Sequence, residues 1–182
     1  QKLEGVTRGK PAHDEMLFMI VHQVYELWFK QILTELNSVL DIFSSDKVDE
    51  KLMDLIVARL QRVIEIQKHI VGQINIMETM TPLDFLEFRD LLIPASGFQS
   101  LQFRQIETRL GLVREARLKY NQADYDQSLQ PDQRSTMQGI ESEASLFTRV
   151  EEWLERTPFL KMQGFDFWKI YKDTVEETIK KD

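Results

Sequence analysis

The chain has 182 residues, 42% hydrophobic and 29% charged, a composition that suits a folded core, and its net charge of −7 argues against a general nucleic-acid role, which draws on clustered Lys and Arg. With no cysteine there is no disulfide, thiolate metal site or cysteine nucleophile, and three histidines without His-x-x-His or His-x-x-x-His spacing do not suggest a protein-only zinc site. No apolar run reaches the ~18 residues of a membrane span and no signal peptide opens the sequence, so the expectation is a cytosolic protein without membrane or nucleic-acid partners.

Gly and Pro are scarce, at 7 and 5, and strand-like alternation is nearly absent, which predicts an all-α fold. Without a Pro/Gly-rich linker, residues 1–182 read as a single all-helical domain. Asp14 and Glu15 give an acidic start to a first helix running to Phe43 and ended by Ser44, Ser45 and Asp46. Phe18, His22, Tyr25, Phe29, Ile32 and Leu36 recur at spacings of four and three and so share one face. A second helix runs from about Asp49 to Met77, with Ile56, Leu60, Val63, Gln67, Ile70, Ile74 and Met77 as a bundle seam and Arg62, Glu65, His69 and Gln73 opposite.

Thr81, Pro82 and Asp84 read as N-cap, first helical residue and acidic third residue of a helix that must stop by Ile93, before Pro94. Ser96 and Gln99 suggest a further cap, for a helix ending at Gly111. Residues 112–141, polar and carrying Pro131, read as an irregular connection with room for one short helix. An amphipathic helix with Leu146, Val150, Trp153 and Leu154 follows, stopped by Thr157 and Pro158. A last helix from Asp166 is expected to turn Phe167, Ile170, Tyr171, Val175 and Ile179 inward.

Three places depart from a plain bundle. His22 interrupts the most apolar segment of the chain, HDEMLFMIVHQVYELWFKQIL. Stranding a polar group there costs about 1–3 kcal/mol, so the imidazole needs a backbone group, a side chain or a ligand as partner. In FLEFRDLL, a helical i, i+4, i+7 spacing would set Arg89 between Phe85 and Leu92, where a guanidinium forms an ion pair or awaits a carboxylate. In PASGFQSLQFRQIE, a small-residue corner precedes a helix N-terminus, either an ordinary turn or a wall that lets something flat come close. Together they describe an aromatic-lined pocket suited to an aromatic molecule that carries a carboxylate.

These same runs, HDEMLFMIVHQVYELWFKQIL, ETMTPLDFLEFRDLLIPASGFQSLQFRQIE and VEEWLERTPFL followed by GFDFW, resemble the tryptophan 2,3-dioxygenase family. The likeness covers most of residues 11–111 and about 146–168, and residues 112–141 fit it only loosely. It implies a helical bundle of the tryptophan/indoleamine dioxygenase type, here an incomplete portion. It also implies a homotetrameric enzyme that uses haem b (iron protoporphyrin IX) and O2 to open the indole ring of L-tryptophan, giving N-formyl-L-kynurenine. By the same resemblance His22 is the distal residue that hydrogen-bonds the indole N–H, and Phe18 packs on the indole. Met19, Ile20, Val21, Phe85 and Leu92 line the substrate pocket and Arg89 clamps the carboxylate. Ser96, Gly97 and Phe98 lie against the haem. The family's proximal haem histidine is expected beyond Asp182, so no metal ligand is expected within the chain, and the C-terminal remainder, possibly a separate chain, is an expected partner. Alone the chain is expected to be inactive. The alternatives are a helical binding or structural module, or a related haem hydroxylase, on the same scaffold.

Overall fold

The computed structural model describes residues 12–45, 47–92, 99–117, 124–156, 161–162 and 165–179. Its longest element is α1, Glu15–Phe43, which runs 29 residues with neither Gly nor Pro to interrupt it. The predicted face is present. It is fully buried over Ile32 and Leu36 and only half-buried over Phe18, His22, Tyr25 and Phe29, so it closes at one end and opens at the other.

A 3-10 turn, Glu50–Leu52, capped by the Asp49 side chain, leads into α2, Met53–Met77. Tyr25 donates its hydroxyl to the Ile70 carbonyl at 3.1 Å, and Arg62 Nη1 donates to Glu35 Oε1 at 2.6 Å. These contacts run in reverse order along the two helices, which are therefore antiparallel. Burial raises the Tyr25 hydroxyl above its ordinary pKa. The seam of α2 departs from a strict seven-residue repeat: Gln67 and Ile74 are exposed, and Ile66 is buried in their place. A straight α-helix drifts by about 20° per heptad, so a line begun at Ile56 and Val63 slides toward Ile66 and Ile70. A second row on the same helix, Val57, Ile64 and Val71, is exposed.

The Thr81 capping box forms as predicted and opens α3, Pro82–Leu86. Thr81 N–H donates to Asp84 Oδ2 at 3.0 Å, and the Thr81 hydroxyl with this N–H holds the Asp84 carboxyl below its ordinary pKa. The helix stops seven residues short of the limit set by Pro94. Phe88, at φ −126° and ψ 0°, leaves the helical region, and a 3-10 turn, Arg89–Leu91, follows. Helix α4, Leu101–Leu110, is capped by Ser100, whose side chain accepts from the Phe103 N–H, and not by Ser96. Ser96 lies outside the described residues.

The connection over residues 112–141 is more ordered than its polarity implies. It holds 3-10 turns at Arg114–Ala116 and Tyr125–Ser128 and an eleven-residue helix α5, Pro131–Glu141. Pro131 begins that helix, since proline lacks only an N–H that would find no partner in the first turn. Tyr125, Leu129, Met137 and Ile140 form a small core of their own. Arg104, Arg114 and Arg117 approach the Tyr125 ring within 5.7, 5.1 and 4.1 Å, and its hydroxyl donates to Glu141. Burial and the Glu141 carboxylate push the Tyr125 hydroxyl up to about 12.

Helix α6, Leu146–Arg156, sets Trp153 edge-on to Phe43, with centroids 5.9 Å apart. Its predicted stops, Thr157 and Pro158, lie outside the described residues. A two-residue antiparallel pair, β1 (Lys161–Met162) with β2 (Phe165–Asp166), sets Lys161 opposite Asp166 and Met162 opposite Phe165. Asp166 then accepts from the Lys169 N–H at the start of α7, Phe167–Ile179. Ile170 and Tyr171, predicted to face inward, are exposed. Helices α2, α4 and α6 all pack against α1, and the principal core is Ile32, Leu33, Leu36, Val63, Ile66 and Ile106. Apart from the β1–β2 pair the architecture is all-α, as predicted, and among the described residues no helix is long and apolar enough to cross a membrane.

Gly111 ends α4 at φ +111°, and a Cβ added there would sit 2.8 Å from the Cβ of Phe147. Gly111→Ala therefore meets both backbone strain and a clash. It should cost about 1–3 kcal/mol of stability, measured by thermal unfolding. An unchanged midpoint would show that the α4–α6 junction relaxes freely.

Candidate functional site

The open end of the α1 face carries three of the residues singled out in the sequence. Phe18 and His22 lie one turn apart, so their side chains project together from the helix, with ring centroids 4.1 Å apart at 35°. Phe85, carried by the capped start of α3, reaches Phe18 at 5.8 Å. A fourth ring, Phe88, meets Phe18 at 5.6 Å and Phe85 at 5.4 Å, edge-on in both cases. Phe88 has no exposed surface, whereas Phe18, His22 and Phe85 are half-buried. Phe88 is absent from the sequence-predicted set. Its signal was the pair of phenylalanines three apart in FLEF, which meet on one face of a single helical turn.

His22 has a backbone partner on one side only. Its Nδ1 lies 2.7 Å from the Phe18 carbonyl oxygen. A carbonyl can only accept, so Nδ1 carries the proton and, in the neutral ring, Nε2 is an acceptor with its lone pair available. Of the partners left open by the sequence, the backbone group is the one found, and it satisfies half of the ring.

The Arg89 side chain is exposed and makes no hydrogen bond or ion pair with any residue of the described structure. The ion-pair alternative for it is therefore not realised. The helical spacing that was to align Phe85, Arg89 and Leu92 does not hold either, because α3 ends at Leu86 and Arg89 starts a 3-10 turn. Leu92 is half-buried and closes that turn, its N–H donating to the Arg89 carbonyl.

Met19, Ile20 and Val21 step around α1, away from the Phe18–His22 line. Met19 is half-buried, Ile20 is exposed and Val21 is buried. Successive helical residues turn by about 100°, so one surface cannot gather all five. Ser96, Gly97 and Phe98 lie outside the described residues. The other two imidazoles sit elsewhere: His13 is exposed beside Asp14, and His69 is exposed, bonded to Gln73 at 2.8 Å and edge-on to Trp28. Among the described residues no three His, Asp or Glu side chains gather as a metal site.

The geometry thus defines an aromatic cluster around Phe18 with the His22 acceptor beside it and, on the adjoining turn, a guanidinium unpaired among the described residues, at the open end of a helical scaffold. A family profile described as tryptophan 2,3-dioxygenase matches residues 1–182. The chain is 56% identical over 174 residues to the tryptophan 2,3-dioxygenase of Bdellovibrio bacteriovorus, covering 96% of this chain and 48% of that protein. It is 50% identical over 182 residues to the proteins of the same name from Alteromonas mediterranea and Dictyostelium discoideum, covering all of this chain and 50% and 46% of theirs. The chain belongs to the tryptophan 2,3-dioxygenase family and spans about half the length of the curated relatives it matches.

The tautomer of His22 can be checked directly. Nitrogen–proton correlation spectra of the neutral imidazole should show Nδ1 protonated and Nε2 bare. The opposite tautomer would remove the Phe18 carbonyl bond and, with it, the acceptor facing the aromatic group.

Proposed function

We propose that these residues form the substrate-orienting side of a haem dioxygenase that opens the indole ring of L-tryptophan with O2 to give N-formyl-L-kynurenine, the first step of tryptophan catabolism by the kynurenine pathway. The observation that carries the reading is His22, its Nδ1 bound to the Phe18 carbonyl and its ring against Phe18, the ring that Phe85 and Phe88 also meet. An indole is a flat apolar ring with one N–H donor, and this face offers flat apolar rings with one acceptor.

In this reading Phe18 packs on the indole and His22 Nε2 accepts the indole N–H, fixing the ring in one pose. Arg89, lacking any internal partner, takes the substrate carboxylate through its planar fork. Phe85 and Leu92 close the pocket from the α3 side, half-buried Met19 contributes at its outer edge, and exposed Ile20 and buried Val21 lie on other faces of α1. Where haem b is bound, Ser96, Gly97 and Phe98 are the residues proposed to hold it. Haem, when bound, supplies the oxygen activation that side chains and closed-shell indole lack. The chain's own residues then act by orientation: His22 holds a proton in place and need not remove it.

His13 is exposed beside Asp14, His69 is bonded to Gln73, and His22 is assigned to substrate, so a haem ligand from outside these residues is part of the proposal. So are a homotetrameric assembly and a cytoplasmic setting. The exposed row Val57, Ile64 and Val71 supports further helices covering α2 in the whole protein.

Two measurements on the assembled enzyme test the assignment. Arg89→Lys replaces a bidentate contact by a point charge and should reduce kcat/KM for tryptophan by about 2–4 kcal/mol, while tryptamine, which has no carboxylate, should be nearly indifferent. Equal losses on both substrates would remove Arg89 from the carboxylate site.

His22→Ala should lower turnover without abolishing it and should narrow the preference for tryptophan over 1-methyltryptophan, which has no N–H to donate. An unchanged preference would make His22 a packing residue only.

A further inference from the structure

The most deeply buried ring at the site belongs to a residue with no assigned role. Phe88 has no exposed surface, and it occupies the joint where α3 gives way to the Arg89–Leu91 turn. Its backbone, at φ −126° and ψ 0°, lies outside the helical region that its neighbours adopt. That single departure does two things at once. It turns the chain so that Arg89 leaves the helix exposed and unpaired, with the new turn tied to Phe88 through the Leu91 N–H and the Phe88 carbonyl at 2.9 Å. It also drives the Phe88 ring beneath Phe18 and Phe85, touching each by an edge at 62° and 85°.

We propose that Phe88 is a positioning residue for the substrate site: its ring sets the tilt of Phe18, and through Phe18 that of His22, while its backbone sets where Arg89 emerges. The proposal rests on the reading of this face as an indole site and deepens it. Phe88 itself touches no substrate. It is the common support of the two groups that would read the two ends of the substrate, the ring N–H and the carboxylate. Aromatic edges have a preferred geometry that an aliphatic side chain of similar volume does not reproduce, so the ring and not merely its bulk is required. Small misplacements of positioning groups have large kinetic effects, about 100-fold for an ångström in unfavourable cases.

The test uses the assembled enzyme with Phe88→Leu and Phe88→Met, and Leu36→Val as a packing control buried in the α1–α2 core, away from the rings. Both Phe88 variants should raise KM for tryptophan about tenfold and narrow the preference over 1-methyltryptophan. Leu36→Val should lower the melting temperature and leave KM and the preference unchanged. Independently of turnover, the His22 imidazole protons, lying in the ring current of Phe18, should shift in Phe88→Leu. If both Phe88 variants assemble with wild-type KM, preference and His22 shifts, the proposal is overturned. It is equally overturned if neither assembles while Leu36→Val does, since Phe88 would then serve folding alone. A wild-type enzyme that does not turn over tryptophan would sink the functional reading, whereas the His22 shifts would still report on the ring geometry.

Discussion

The two most extensive helix contacts among the described residues, α1 with α2 and α1 with α4, are both made against the one helix α1. Helix α1 extends about 43 Å at 1.5 Å per residue, and α2, α4 and α6 all lean on it. Its Phe43 end is clamped from several sides by Ile56, Val48 and Trp153, and its middle by Val63, Ile66 and Ile106. The Phe18–His22 end keeps those two rings half-buried. A helix is stiff along its axis, so anchoring one end fixes the direction of the other. The site can therefore be open and still well placed.

The polar contacts that secure this arrangement differ from those at the site. Glu35 is buried on α1 and receives both Arg62 Nη1 and Gln31 Nε2, at 2.6 and 2.7 Å. Gln102 of α4 donates to the Glu26 carbonyl and carboxylate, and Tyr25 donates to Ile70. Each ties a neighbouring helix, or α1 itself, to a fixed height along α1. By contrast, among the described residues, His22 Nε2 and the Arg89 guanidinium have no partner. The scaffold also leaves the Nε atoms of Arg109 and Arg117 without a hydrogen bond, but those are buried, whereas a half-buried acceptor and an exposed guanidinium are groups that binding can use.

The elements legible in the sequence were those governed by neighbours along the chain. The acidic entry of α1, the Thr81–Asp84 capping box and the left-handed Gly111 each depend on a handful of adjacent residues, and each is where local rules put it. So was the face shared by Phe18, His22, Phe29 and Leu36, because helical periodicity needs no knowledge of partners. What could not be read depended on where distant pieces meet. Ile66 replaces Gln67 in the α2 seam where the seam drifts off a strict seven-residue repeat; α3 stops at Leu86 where Phe88 finds a place beneath Phe18; Arg62 reaches across to Glu35 from a face marked as polar. The connection over residues 112–141 looked irregular because its apolar residues are sparse, yet Tyr125 gathers three arginines and a carboxylate around one ring and needs little else.

The link between Phe18 and His22 lies entirely within one turn of one helix. The carbonyl that receives the imidazole proton belongs to the residue whose ring lies against the imidazole, so one helical turn decides which ring nitrogen is bare. Five consecutive residues, FMIVH, thus carry the tautomer, while the tilt of the rings depends on the Phe88 edge. Grafted onto an unrelated rigid helix, the segment would bring its acceptor along and leave the aim of that acceptor behind.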